Sequence, residues 1–407
     1  MTTTTMTVSR ARTGLTLDRV ADVLLLAFVA ALQFQISVAQ IVLTAMLLCW
    51  AALLVRDKVR PSAPRFFLPL AAYAGITLVS ALFSLDPLES LIDSKQLVLF
   101  LIVPAAYHIL AHRRPADGGL RASTVVDVIV TVGAAAAAIG IIQYGMLQYD
   151  NLGQRPQGTL THYMTYSGVL MLVICTAVAR LVFGSRERTW PALVMPALVV
   201  ALSLTLGRAA WVGTSVAVGL LLVLKDLRLT ALLPAVIALV FALAPDSVTN
   251  RMMSVFDQRD PTRVDRVDML RIGARMIRDY PLTGVGPNMV QRMYPEYQEP
   301  GDTRVNPHLH NVPVQIAAER GLPALGIWIW FVAALTAALF QLFRTARDKV
   351  LPGAALAAVS GMLAAGMFEY NFGDSEFLML LLVLVTLPFA AERQDAARAD
   401  AAAADRA

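Results

Sequence analysis

The chain has 407 residues, 57% of them hydrophobic and 15% charged, with a formal net charge of +5. Soluble domains carry roughly 25% charged residues, so this composition excludes an ordinary soluble enzyme. The two cysteines, Cys49 and Cys175, sit inside apolar runs and read as small buried hydrophobes rather than a disulfide or metal pair.

Apolar runs close to the ~20 residues that cross a bilayer recur along most of the chain. They lack the period-two alternation of a membrane barrel, and only helices or closed barrels satisfy the backbone in lipid. The expected fold class is therefore all-α, a polytopic membrane helix bundle. Twelve spans are predicted, over residues 18–35, 37–55, 66–85, 93–111, 122–145, 163–183, 191–206, 209–224, 229–245, 312–343, 351–369 and 376–391. Residues 1–19 are Thr-rich, and no small-residue cleavage site ends the run after them, so that run reads as a retained first helix. Residues 1–245 thus hold nine helices and residues 246–311 a long loop carrying the catalytic candidates. Residues 312–391 hold three more helices, and the Ala-rich residues 392–407 a cytoplasmic tail without chemistry.

Basic residues set the orientation. Counted over alternate connections, twenty-one of the 34 fall on one side, and only Lys95, Arg155 and Arg208 on the short loops of the other. The basic side is cytoplasmic by the positive-inside rule. Both termini are expected there, and the long loop in the periplasm of a bacterial inner membrane. Topology accounts for most of the positive charge, and no nucleic-acid motif accompanies it. No internal repeat is visible, which weighs against an inverted-repeat transporter.

Ionisable residues near a bilayer are costly and are functional candidates by default. Leu206-Gly207-Arg208-Ala209-Ala210-Trp211 places an arginine against the orientation rule. It is either an interfacial arginine snorkelling beside a belt tryptophan or an anion clamp facing the bundle. Residues 263–278 form an arginine-rich amphipathic helix, with Arg271, Arg275 and Arg278 on one face and Leu270 and Ile277 on another. Such a helix lies at a membrane surface. It stops at Tyr280-Pro281, where the glycines of Thr283-Gly284-Val285-Gly286-Pro287 permit a sharp reversal. Asn306-Pro307-His308-Leu309-His310-Asn311 holds two of the five histidines. Their i, i+2 spacing does not suit two ligands on one helix, and no clustered carboxylate or cysteine completes a metal site in sequence, so no metal is expected. Histidine instead suits a general base acting on a hydroxyl. Arginines, permanently charged and bidentate, suit a diphosphate leaving group handled without a metal.

These elements resemble the O-antigen ligase and polymerase superfamily of bacterial membrane glycosyltransferases. The resemblance rests on Gly207-Arg208-Ala209-Ala210-Trp211, on the arginine-led helix from Arg266 into Pro281-Leu282-Thr283-Gly284-Val285-Gly286, and on His310-Asn311 followed by Gly321. It covers roughly residues 190–390. Ala324 stands where the family usually has a glycine or polar residue, a departure that bears on the subfamily. The resemblance implies a GT-C-like bundle and an O-antigen ligase, which moves polysaccharide from undecaprenyl diphosphate to a sugar hydroxyl of lipid A-core. Carried over residue by residue, it implies catalytic roles for Arg208, Arg266 and His310, in an inverting displacement without cofactor or metal. Arg263, Arg275, His308 and Asn311 are candidates for binding diphosphate or acceptor. The implied partners are the lipid-linked donor, the lipid A-core acceptor and membrane lipids, with no nucleic acid.

Two polar groups on the same side remain open, as acceptor contacts or as solvated hairpins: Asp86, Glu89 and Asp93, and Glu369, Asn371, Asp374 and Glu376. A carboxylate of the second group could also replace His310 as base. Rival readings within the superfamily are an O-antigen polymerase and a protein O-oligosaccharyltransferase. From another class, a transporter or flippase of an anionic lipid would use the arginines as a path, which requires charges near the bilayer midplane.

Overall fold

The computed structural model describes residues 16–113, 118–185, 188–254, 261–299 and 305–404, and every regular element among them is helical. The Thr-rich lead-in at residues 1–15 lies outside the described residues. In chain order, α1 (Leu17–Ala31), α2 (Ile36–Asp57) and α3 (Phe67–Leu82) are followed by α4 (Pro87–Asp93), which runs through a 3-10 segment into α5 (Ile102–His112). Then come α6 (Ala122–Leu147), α7 (Tyr163–Phe183), α8 (Thr189–Leu204), α9 (Arg208–Lys225) and α10 (Leu232–Leu243). The long loop is itself helical, with α11 (Asp246–Met253), α12 (Pro261–Asp279) and α13 (Val290–Tyr297). The chain closes with α14 (Val312–Thr345), α15 (Val350–Gly366) and α16 (Ser375–Ala404).

Each predicted span therefore meets a helix. Among the described residues, seven are long and apolar enough to cross a membrane, and four shorter apolar helices accompany them. The protein is a polytopic membrane helix bundle. The fourth span departs from expectation, because it begins with the polar, Asp86-capped α4 before turning apolar. The tail prolongs α16 as far as Ala404.

Small residues let the central helices approach closely, as is usual where lipid supplies no hydrophobic drive between them. A Cβ at Gly213 of α9 would sit 2.4 Å from Met171 Sδ on α7 and 2.7 Å from the carbonyl oxygen of Gly361 on α15. The bundle has two polar faces. On the lower face Arg113 pairs with Asp22, His112 lies 3.3 Å from Asp57, and the Gln394 amide donates to the carbonyls of Leu110 and Leu120. The upper face carries the long loop, the start of α9 and the turns before α7, α14 and α16.

The loop is fastened to the bundle at a break in α14. Pro323 has no N–H, so the Glu319 carbonyl loses its helical donor. Leu322 N–H donates to the Pro281 carbonyl (2.8 Å), which leaves the Ala318 carbonyl without its helical donor as well. The N–H groups of Val285 and Gly286 fill both vacancies, at 2.9 Å each. Ser80 Oγ of α3 adds a hydrogen bond to the Thr283 carbonyl (2.6 Å). The predicted glycine reversal is what makes this clasp possible. Gly284 and Gly286 take φ of +67° and +112°, and a Cβ would lie 2.2 Å from the Glu319 carbonyl carbon or 2.0 Å from Ser84 Oγ.

α12 buries Met269, Ile272 and Met276 against Met289, Val290, Tyr294, Leu309 and Ala318. Of the predicted apolar face, Ile277 packs against this cluster and only Leu270 is corrected. Leu270 is 40% exposed, and the helix packs on its own chain through the three residues that share its inner stripe.

A candidate active site lined by four arginines

α9 starts without a side-chain cap, after Leu206 in a left-handed conformation (φ +54°) and Gly207. Its first N–H groups have no helical partner, and such an end favours anions. Arg208, Ala209 and Ala210 line a cleft of about 110 Å³ that opens to the outside. Gly207, Gly168 and Ala365 give it a small-residue floor, and its charge comes from Arg155, Arg208, Arg251 and Arg266.

Four elements deliver these guanidinium groups. Arg155 lies in the connection between α6 and α7, which Gln143 pins by accepting from the N–H groups of Gln157 (3.0 Å) and Gly158 (2.9 Å). Its guanidinium carbon stands 4.0 Å from the centroid of the Tyr163 ring, a cation–π contact. Arg208 Nη1 donates to Ser254 Oγ at 3.1 Å. Arg251 comes from α11, and Arg266 from α12, where it lies 5.9 Å from the Phe368 ring centroid. Burial lowers the pKa of Arg155, and the nearby charge of Arg208 acts in the same direction. A bound dianion would relieve both penalties.

The other wall holds Glu369 and Asn371, from the turn between α15 and α16. His310 Nδ1 is 3.0 Å from Glu369 Oε2 and His308 Nε2 is 3.1 Å from Oε1. Burial alone pushes the Glu369 carboxyl upward, but the hydrogen bonds from His308 and His310 outweigh it and hold that carboxyl below the usual carboxylate range. An ionised carboxylate only accepts, so His310 carries a proton on Nδ1 and Nε2 is left to act. His310 itself adopts φ +47°. Such strain in a non-glycine residue needs surrounding structure to hold it. Asn311 supplies this, with Oδ1 accepting from Val314 N–H (3.0 Å) as the cap of α14 and Nδ2 donating to the Met367 carbonyl (3.1 Å).

The structure therefore brings Arg208, Arg266, His308 and His310 around one cleft, the histidines one hydrogen bond behind its wall. Three other candidates lie apart. Arg263 is exposed. Arg275 bonds the Tyr297 carbonyl (3.0 Å) and Glu299 (2.5 Å), fastening the end of α13. Both amide atoms of Asn311 are engaged in holding the turn.

The polar groups left open also divide. Asp86 and Glu89 join α4 to the long loop through Arg292 and Asn288. Asp93 faces a second small pocket with Arg320 and Tyr370. Asp374 accepts from the Thr165 hydroxyl.

Sequence reasoning passed over Arg155, Arg251 and Tyr163. For Arg155 the signal was available: it and Arg208 are two of the three basic residues on short loops of the sparsely charged side.

The histidines precede α14 rather than lie on it, so the helical objection to a metal pair does not apply. One ligand atom from each of His308, His310 and Glu369 falls within 4.8 Å of the others. Two imidazoles and a carboxylate form a set that a divalent cation accepts.

Residues 192–329 match the sequence profile of the family described as O-Antigen ligase. That stretch, about a third of the chain, is what the protein shares with the O-antigen ligase family. The matched stretch runs from α8 through the break in α14, and so includes Arg208, Arg251, Arg266, His308 and His310. Arg155 and Glu369 lie outside it. The family indicates a glycosyltransferase-like enzyme of O-antigen assembly. No curated protein matches the chain.

Proposed function

We propose that this protein is an O-antigen ligase. It transfers polysaccharide from undecaprenyl diphosphate to a sugar hydroxyl of lipid A-core, at the periplasmic face of the inner membrane. The observation that carries this reading is one cleft lined by four arginines and by Glu369, whose carboxylate is hydrogen-bonded to His310 behind that wall.

In the reaction, the lipid diphosphate lies between Arg208 and Arg266, with Arg155 and Arg251 adding charge and the α9 N-terminus adding N–H donors. His310 Nε2 removes the proton of the acceptor hydroxyl as its oxygen attacks the anomeric carbon. The bond from that carbon to the diphosphate oxygen breaks with inversion, and the electron pair leaves on the diphosphate. Glu369 stabilises the resulting imidazolium. A general base typically contributes ~10²–10⁴ in rate, and one charge-stabilising donor about 10²–10³.

The test is transfer by purified protein in nanodiscs, given a lipid-linked saccharide donor and lipid A-core acceptor, with products resolved on a gel. Saccharide attached to lipid A-core is the ligase outcome. Lengthening of the lipid-linked saccharide instead identifies a polymerase, and transbilayer movement without a new glycosidic bond a transporter.

A further inference from the structure

Gln315 and Glu319 stand one helical turn apart in α14, and both are almost fully buried, at 1% and 4% exposure. A buried amide and carboxylate are costly unless their polar atoms are matched. Here the matching is directional. Gln315 Oε1 accepts the Leu309 N–H at 2.6 Å, and its Nε2 donates to Glu319 Oε1 at 2.8 Å. Glu319 Oε1 also accepts the Asn288 N–H (3.1 Å), and its Oε2 pairs with Arg320 Nη1.

Both ends of this set reach the His310–Glu369 pair. Leu309 stands between the two histidines, with its side chain buried in the α12 cluster. At the other end Arg320 Nη1 donates to the Tyr370 hydroxyl (3.3 Å), and the Tyr370 N–H donates to Glu369 Oε1 (3.0 Å). The contact from His310 Nδ1 to Glu369 then closes the hydrogen bonds into a ring. A closed ring constrains its members more than an open chain, because displacing one member strains bonds on both sides. Such over-determination is what a non-glycine residue at φ +47° requires.

We infer that Gln315, Glu319, Arg320 and Tyr370 are positioning residues for the transfer reaction, holding Glu369 against His310 Nδ1 and so leaving Nε2 to the acceptor hydroxyl. The inference rests on the base role of His310 in the proposed function and adds what fixes that base. None of the four lines the arginine cleft, so they act through His310 and not on the diphosphate.

Two near-isosteric variants open the ring from opposite ends, Gln315→Met and Tyr370→Phe. Gln315→Met should lower kcat by ~10²-fold, the scale of a misplaced reacting group. Tyr370→Phe loses one longer hydrogen bond and should lower kcat about fivefold. KM for the donor should stay at the parent value in both. Added to His310→Ala, neither change should lower the residual rate further, since both act through the missing side chain. Parent kcat in both variants, or equal losses with and without His310, overturns the inference while the transferase reading stands.

The second measurement needs no transfer activity. The chain has only five histidines, so isotope-labelled histidine in nanodiscs gives a nitrogen spectrum that His310→Ala assigns. In mildly alkaline buffer the parent should show His310 as a single tautomer protonated at Nδ1, and Gln315→Met a mixture of both tautomers. The single Nδ1–H tautomer retained in Gln315→Met overturns the inference; if that variant does not fold, the same result in Tyr370→Phe overturns it.

Discussion

His310 Nδ1 lies 3.0 Å from Oε2 of Glu369, a residue 59 positions further along the chain. The pair unites the turn before α14 with the turn after α15, and it fixes which imidazole nitrogen is available to a substrate. His310→Ala should fold, insert and lose ~10²–10⁴ of transfer rate. Glu369→Gln keeps the hydrogen-bond geometry but removes the charge that steadies the imidazolium, so the loss should be smaller, about tenfold. Initial rates with saturating acceptor separate the two; equal and complete loss in both would instead give the carboxylate the role of base.

Arg155→Ala and Arg251→Ala should each lower kcat/KM for the lipid-linked donor by about 10²–10³, comparable to losing one oxyanion donor. Lysine at either position should restore only part, because an ammonium cannot make the bidentate contact. Arg275→Ala should stay near the parent rate, since that side chain serves the end of α13. Donor-dependence curves for the five variants check this ranking.

Gly286→Ala should damage the clasp on α14. The φ of +112° alone costs about 1–3 kcal/mol for a residue with a Cβ, and the added carbon would meet Ser84 Oγ at 2.0 Å. We expect a lower thermal midpoint in detergent together with lost transfer, because α12 and Arg266 depend on this attachment. A variant with unchanged midpoint would show that the loop is held elsewhere.

Because the Glu369 carboxyl is held below its ordinary range, its ionised form stabilises the fold. That contribution is complete above the unfolded carboxylate pKa of about 4.3, and it erodes as pH falls below that value toward the folded one. Melting temperatures recorded from pH 6 down to pH 3 should decline less steeply in Glu369→Gln than in the parent. Parallel curves would remove this residue from the acid response.

Zinc offers a separate probe of the same trio. Two imidazoles and one carboxylate with ligand atoms within 4.8 Å should capture added Zn²⁺, which would replace the Nδ1 proton of His310 and neutralise the Glu369 charge that supports Nε2 as base. Transfer should fall on titration with zinc and recover with chelator. Loss of activity on adding chelator alone would point to a metal requirement.

Much of this was legible in the sequence, for reasons that differ by residue. Apolar run length located the helices because lipid leaves the backbone no alternative. Gly284 and Gly286 marked a reversal because few other residues tolerate positive φ. Arg208 stood out by breaking the charge bias, and Arg155 broke the same rule without a motif around it to mark it as a candidate.

The rest depends on packing that no local pattern encodes. Glu369 appeared as one of four polar residues in a short turn, and only the fold sets it between two histidines. Arg275 shares a helical face with Arg271 and Arg278 in projection, but its partner is Glu299, 24 residues away. Leu270 looked apolar enough for the inner stripe, yet Met269 and Ile272 occupy it.

The arginines that break the charge bias bear on how the protein is made. A positively charged short loop resists export, so on the proposed topology the chain would carry Arg155 and Arg208 across against its own orienting signal. Neutral replacements remove that resistance. Such variants should be targeted and translocated at least as readily as the parent, which makes them unusually clean reporters: when they fail, biogenesis is not the reason.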